Sequence, residues 1–109
     1  MANTFKSKVF NGNSTTASTA MNVYTTPTST TTVVIGLTLA NTASSQITAN
    51  IILNAGGAVY LAKSIPIPSG SSFEYMAGNK VIMEAGHTLA VSSDTANSLD
   101  TVMSIMEIT

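Results

Sequence analysis

Two groups of residues in this sequence carry side chains that could do chemistry, and the first is a Glu–His pair. The single histidine, His87, follows Glu84 by three residues in the stretch VIMEAGHTLAVSS. On a helix this spacing would place both side chains on one face. Gly86, however, lies between two strand-like patterns and favours a tight turn. A metal or catalytic site would also need a third ligand, and the chain has no other histidine and no cysteine. We therefore interpret EAGH as a turn joining two strands.

The second group is the acidic loop DTANSLD, which Asp94 and Asp100 bracket. Paired carboxylates can hydrolyse glycosides, and oxygen ligands can bind Ca²⁺. The same residue types also cap and turn loops, and a chain with no Trp offers little aromatic surface to a sugar. The stretch NAGG lacks the Lys and the helix of a phosphate-binding loop, so we interpret it as a hairpin turn. We predict no catalytic residue, no metal site and no cofactor.

The elements that would position these residues are strands. Short apolar runs are separated by clusters of Gly, Pro, Asn and Ser, and helical periodicity is weak throughout. We predict an all-β fold: a single antiparallel β-sandwich, jelly-roll-like or Ig-like, with eight or nine short strands. Residues 1–12 would form an N-terminal arm or first strand, and residues 13–109 the sandwich domain. The side chains expected in the core include Val33, Ile35, Leu37, Leu39, Val81, Met83, Leu89 and Val91.

The composition narrows the possible functions. The chain of 109 residues fits one domain, and it has four Lys, no Arg and a formal net charge of −1. Nucleic-acid binding needs a clustered cationic face, so we expect no nucleic-acid partner. The N-terminus MANTFKSKVF lacks the apolar run of a signal peptide, and no segment has the length of a membrane span. We therefore expect synthesis in the cytoplasm and no membrane contact.

The low charge of the chain points to contacts with other subunits. Charged residues make up 8% of the chain, while Ser and Thr make up roughly a quarter. Segments such as ANIILN and TVMSIMEI are apolar on both strand faces, which favours a subunit interface over a solvated outer face. The alternative is a β-bulge or a covering loop. The candidate interface residues are Phe5, Lys6, Lys8, Ile52, Val102, Met103, Met106 and Ile108.

Five segments carry a resemblance to a known family: MANTFK, VYTTPTSTTTVVIGLTLANT, KSIPIPSGSSFEY, VIMEAGHTLAVSS and SIMEIT. Together they resemble small virion structural proteins of tailed double-stranded DNA phages, especially those of cyanobacteria and other marine bacteria. In that family a strand ends in LEAG followed by an acidic residue. This chain has His87 at the corresponding position, which weakens any expectation of a preserved ion site. The resemblance implies a β-rich subunit present in many copies on a particle, without enzymatic activity.

These considerations lead to three functional hypotheses. The first is a capsid decoration (cement) protein that binds the major capsid protein or the neck and tail proteins of its virion, as a homo-oligomer. Its N-terminal segment, Met1 to Phe10, would be the anchor. The second is a neck, collar or tail-fibre subunit that binds a host protein or glycan. It would require exposed aromatic side chains grouped near the loops, namely Tyr24, Tyr60, Phe73 and Tyr75. The third, an enzyme, would need Glu84 and His87 close together in a pocket.

Overall fold

The computed structural model describes residues 3–12, 17–75 and 80–109. Nine strands and no α-helix occur in these residues, and every strand pair is antiparallel. The strands are β1 (Asn3–Phe10), β2 (Met21–Thr25), β3 (Thr31–Asn41), β4 (Ile47–Asn54), β5 (Ala58–Ile67), β6 (Ser72–Glu74), β7 (Val81–Met83), β8 (Thr88–Ser93) and β9 (Leu99–Ile108).

The strands form two sheets that pack face to face. Sheet A has the order β1-β9-β3-β6, with β7 pairing the opposite end of β3, and sheet B has the order β2-β8-β4-β5. The short strands β6 and β7 therefore occupy one position in sheet A. Sheet neighbours come mostly from distant parts of the chain, and this order is that of a jelly roll. The predicted antiparallel β-sandwich is confirmed, and the alternative of an Ig-like order is excluded.

The core lies between the sheets and follows the two-residue period of the strands. In β9, Leu99, Met103 and Ile105 point inward, while Val102 and Ser104 point outward. The same period buries Met83, Leu89 and Val91 in the core, as predicted, with Val81 half-buried against it. The two sheets thus contribute alternate side chains to a single apolar layer.

Strand β3 departs from the simple alternation that the sequence predicts. Its pairing with β9 shifts between Val34 and Gly36, so that Ile35 is an extra residue in the ladder. Such a β-bulge exchanges the two faces of a strand beyond it. Val34 is therefore buried together with Leu37 and Leu39, whereas Ile35 is 38% exposed. The prediction was right for Leu37 and Leu39, and wrong for Val33 and Ile35.

The first strand forms an edge of sheet A. Residues Asn3 to Phe10 pair with β9 through eight consecutive positions without a register shift. None of the β1 side chains belongs to the core cluster. Lys6 and Lys8 face the interior of the sandwich, while Phe5 and Val9 face outward, since their cross-strand partners alternate in the same way. None of the described residues forms a helix that is long and apolar enough to cross a membrane.

Candidate interaction surface

The Glu84–His87 stretch forms the tight turn that the sequence predicts, and it leads from sheet A to sheet B. The His87 N–H donates to the Glu84 carbonyl at 3.0 Å, and Gly86 has a φ of 85°. The Nδ1 atom of His87 accepts the Glu84 N–H at 3.1 Å. Two backbone bonds to Thr26, at 3.0 and 2.9 Å, hold the turn against the strand end. The imidazole thus bonds to the backbone of the turn instead of to the Glu84 carboxylate.

The two aspartates of the DTANSLD loop also serve local structure. Asp94 Oδ1 accepts the Thr48 N–H at 3.0 Å and the Thr95 hydroxyl at 3.1 Å. Asp100 Oδ1 accepts the Gly12 N–H. Within residues 3–12, 17–75 and 80–109, no three His, Asp or Glu side chains are grouped as they would be around a metal ion. These carboxylates tie separate backbone segments together.

A buried polar network at one end of the sandwich escaped the sequence reasoning. Glu107 accepts hydrogen bonds from Lys6 Nζ at 2.8 Å and from the Tyr24 hydroxyl at 2.5 Å. The Tyr24 hydroxyl lies 2.8 Å from Thr32 Oγ1, and Lys8 Nζ lies 5.9 Å from the centre of the Tyr24 ring. These residues come from four strands and both sheets. The alternation in β1 and β9 could have indicated that Lys6 and Glu107 face inward, but not that they meet.

The network shifts the ionisation of its two acids in opposite directions. Burial, followed by the hydrogen bond to Glu107, raises the pKa of Tyr24 to about 12. The hydrogen bonds from Lys6 and then Tyr24 hold the pKa of Glu107 below its usual value. Neutral Tyr24 and ionised Glu107 are therefore the stable forms at neutral pH. Because both side chains are buried, the network holds strands together and offers no site to a substrate.

The predicted interface residues divide into two sets. Phe5, Val102, Met106 and Ile108 all lie on the outer face of sheet A, and Phe5 and Val102 are 72% and 46% exposed. The second apolar face that the sequence predicts on the last strand carries Val102, Met106 and Ile108.

The other predicted interface residues lie elsewhere. Met103 is fully buried in the core, which corrects its assignment as a contact residue, because its side chain has no exposed surface. Lys6 and Lys8 face the polar network. Ile52 is half-buried on the outer face of sheet B, where it pairs with Tyr60 of β5.

The outer face of sheet A consists of rows that cross the strands, because side chains in register lie on the same face. We call the apolar row across β1, β9, β3 and β7 the Phe5 row; it contains Phe5, Met106, Val33 and Ile82. The next row, the Ser7 row, contains Ser7, Ser104 and Gly36. The third, the Val9 row, contains Val9, Val102 and Thr38, with Glu74 of β6 at its end. Two rows that carry apolar side chains thus flank a row of small residues.

The outer face of sheet B is different in character. A depression of about 310 Å³ there is bordered by Tyr60, Ile52, Asn50 and Asp94, among other residues. The grouped aromatic side chains that glycan binding would need do not occur in the described chain. Tyr24 is buried, Phe73 and Tyr75 are half-buried against the core, and Tyr60 is exposed with Lys63 Nζ 5.0 Å from its ring centre.

Comparison with known proteins adds no relative to this description. No protein-family model matches the chain, and no curated protein sequence matches it. Of the surfaces described above, the outer face of sheet A carries most of the exposed large hydrophobic side chains.

Proposed function

We propose that this chain is a non-enzymatic structural protein of a tailed-phage particle, where it decorates the capsid as a cement protein. The observation that carries the proposal is the outer face of sheet A. Its apolar side chains are exposed on a chain in which 8% of the residues are charged. Large contiguous apolar patches on a folded domain mark surfaces that bind other proteins. The chemistry of the protein is accordingly adhesion between subunits.

The fold is consistent with this role by analogy. Jelly rolls recur in viral capsid proteins, although they also occur in lectins and in cupins. A rigid sandwich with no disulfide is stabilised by packing alone, and it can bridge two neighbouring subunits without changing shape. The analogy supports a structural role, and the exposed face of sheet A is the feature specific to this chain.

We assign the contact with the capsid shell to β1. This strand pairs on one side with β9, and no other described strand pairs with its second side. Alternate N–H and C=O groups of an edge strand point away from its sheet, where an extended segment of another protein can pair with them. The N-terminal segment therefore remains the candidate anchor, acting through its backbone edge.

The proposal is tested by counting copies of the chain in purified particles. Quantitative mass spectrometry against the major capsid protein should give hundreds of copies per virion, since a cement protein follows the symmetry of the shell. A count of about a dozen would assign the chain to a neck ring instead. If purified particles lack the chain, the proposal is wrong.

A functional assay separates decoration from mere presence. Purified protein added back to particles that lack it should raise the temperature at which they release DNA, because added interface area resists the internal pressure. A protein without residues 1–10 should bind such particles more weakly, provided that its circular dichroism spectrum shows it to be folded. An unchanged release temperature at saturating protein would contradict the decoration role.

The alternative is a neck, collar or tail-fibre subunit that binds the host surface. The depression beside Tyr60 on sheet B is the feature that favours it, because an exposed aromatic ring beside polar groups suits a sugar. Isolated protein would then bind host cells, and a Tyr60→Ala variant would lose that binding. Tight capsid binding without host-cell binding would exclude this alternative.

A further inference from the structure

The outer face of sheet A has a groove that the chain itself does not fill. The groove follows the Ser7 row, and a depression of about 270 Å³ there is bordered by Phe5, Ser7, Ile35 and Ser104. A Cβ atom added to Gly36 would meet only Ser104, at 3.8 Å, which is an ordinary contact. Neighbouring rows on one face of a strand are about 7 Å apart, so the groove has the width of one row of side chains.

The charges on this face lie at its rim. Lys6, Lys8 and Glu107 all turn inward from the strands of sheet A. Asp100 and Glu74 face outward, opposite Ala40 and Thr38, at one end of the face. Lys80 and Glu84 flank β7 at the edge of the sheet. The centre of the face therefore attracts neither an acidic nor a basic partner, and recognition must depend on apolar contact and shape.

The raised and recessed rows of this face are complementary to the same rows on a second copy of the chain. A two-fold axis parallel to the rows, midway between the Phe5 row and the Ser7 row, exchanges these two rows between copies. The Phe5 row of each copy then lies over the Ser7 row of the other, and a single rotation fills both grooves. This reciprocity is the property of an isologous interface, in which residue i contacts j and j contacts i.

The same rotation provides partners for the remaining rows. It brings the Val9 row over the row of Asn3, Ile108 and Thr31, which has Ile108 at its centre. On β1, β9 and β3 the paired rows carry no charged side chain, so their pairing incurs no penalty for a desolvated unpaired charge. Glu74, at the β6 end of the Val9 row, lies at the rim. A partner of unrelated shape would have to supply this spacing of ridge and groove independently.

The flat footprint of the face is more than half of the area that each partner of a specific interface buries. Four strands about 4.8 Å apart and eight residues of about 3.4 Å each give a footprint on the order of 500 Å², beneath a larger accessible area. Specific interfaces bury about 800 Å² per partner. Five of the seven large hydrophobic side chains that are exposed among the described residues lie here, namely Phe5, Val9, Ile35, Ile82 and Val102.

We propose that two copies of this chain pair face to face through the outer faces of sheet A, with the Phe5 row of each seated in the Ser7 row of the other. The proposal names the partner of the face on which the proposed function rests. The dimer is the unit that enters the particle, and its two β1 edges are left free for the shell.

The test uses the full chain in solution. Sedimentation velocity over a concentration series should show a dimer with a molecular mass twice 11.2 kDa. Val102→Lys places a charge within the paired faces, and it should raise the dissociation constant at least tenfold. Val59→Lys is the matched control, because Val59 is a strand valine of similar exposure, 53%, on sheet B. It should leave the dissociation constant unchanged.

A second variant guards against a change in folding. Phe5→Ser removes the largest side chain of the Phe5 row, which is 72% exposed and lies outside the core, so the monomer should keep its thermal stability. It too should weaken the dimer at least tenfold. A monomeric wild-type protein at high concentration, or equal effects of Val102→Lys and Val59→Lys, would overturn the proposal.

The outcome is separable from that of the proposed function. A dimer in solution from a chain that is absent from purified particles would overturn the virion role and support the pairing. A monomer in solution from a chain found in hundreds of copies per particle would do the reverse. The two measurements use different material and share no readout.

Discussion

Glu107 is the residue at which polar contacts from both sheets converge. Its carboxylate binds Lys6 of β1 and Tyr24 of β2, and its own strand, β9, lies between β1 and β3. Both partners lie at the opposite end of the chain in sequence. A buried carboxylate is tolerated only when its oxygens are paired, so this residue makes the position of β1 depend on charge.

The first prediction concerns the stability of the fold at acidic pH. Because hydrogen bonds from Lys6 and Tyr24 hold the pKa of Glu107 below its ordinary 4.5, its ionised form stabilises the fold. This contribution is present above pH 4.5 and is lost as the pH falls through the lower pKa of the folded state. Urea denaturation between pH 7 and 3 should show Glu107→Gln to be about 1–3 kcal/mol less stable at pH 7, with a flatter acid dependence. Glu84→Gln, in an exposed turn, should leave the stability at pH 7 unchanged.

The second prediction concerns the ionisation of Tyr24 at alkaline pH. The pKa of Tyr24 is raised to about 12, so the stability that its neutral hydroxyl provides is present below pH 10 and is lost as the pH rises. An ultraviolet titration should show one of the three tyrosines ionising near pH 12, and Tyr24→Phe should lack that step. Tyr60→Phe should retain it. A titration in which Tyr24→Phe still shows the step would contradict the assignment.

At the scale of elements, the β3 bulge decides which residues face the core. Two residues, Ile35 and Gly36, lie opposite the single residue Ser104 of β9. The inserted residue places Ile35 beside the groove of the outer face. The bulge therefore has two effects, since it buries Val34 and shapes the surface that we propose for pairing.

The third prediction follows from this exchange of faces. Val34→Ala should lower the free energy of unfolding by about 2 kcal/mol, because Val34 is 1% exposed and the change leaves a cavity. Ile35→Ala should cost less than about 1 kcal/mol despite removing more atoms. Urea denaturation measures both losses of stability, at a protein concentration below the dissociation constant of the proposed dimer. If Ile35→Ala were the more destabilising of the two variants, Ile35 would lie in the core and β3 would alternate without a bulge.

The fourth prediction concerns the turn between the sheets. Gly86 has a φ of 85° and open space around its Cα, so Gly86→Ala is disfavoured only by the backbone conformation. We expect Gly86→Ala to lower the free energy of unfolding by about 1–2 kcal/mol. Gly57 also has open space but does not have a positive φ, and Gly57→Ala should be neutral to within about 0.5 kcal/mol. Thermal unfolding of the two variants tests the difference.

The sequence was informative about elements and less so about their partners. The two-residue period and the turn residues predicted the strands, the EAGH turn and the second apolar face of the last strand. The bulge at Ile35 was not predicted, because the alternation in TTVVIGLTLAN is regular without one; the signal for it is Gly36, since an isolated glycine within a strand favours a bulge. The contact between Lys6 and Glu107 depends on pairing between the first and last strands, which local patterns do not encode.

At the scale of the whole molecule, the jelly roll presents two unlike outer faces. The outer face of sheet A has rows of apolar side chains with no charged side chain at its centre, and the outer face of sheet B has a depression bordered by polar side chains. The edge strand β1 is regular along its whole length. The pairing face and the edge contact that we propose would together give the chain the surfaces that a particle component needs.

The fifth prediction concerns salt and belongs to this scale. Because the charges of the paired faces lie at the rim, screening should have little effect on the dimer. We expect its dissociation constant to change less than about threefold between 50 and 500 mM NaCl, as measured by sedimentation. A much larger increase would indicate an interface dominated by ion pairs, and would point to the rim residues Asp100, Glu74, Lys80 and Glu84.

The pairing of the first strand with the last has a mechanical consequence. Asn3 lies opposite Ile108, so both ends of the described chain leave the sandwich at the same point. A force that pulls these ends apart loads the hydrogen bonds of the β1–β9 ladder one pair at a time, as in a zipper, because the bonds lie perpendicular to the strands. A force applied along the strands loads all the pairs together. The molecule therefore yields readily to tension at its termini and resists shear along sheet A.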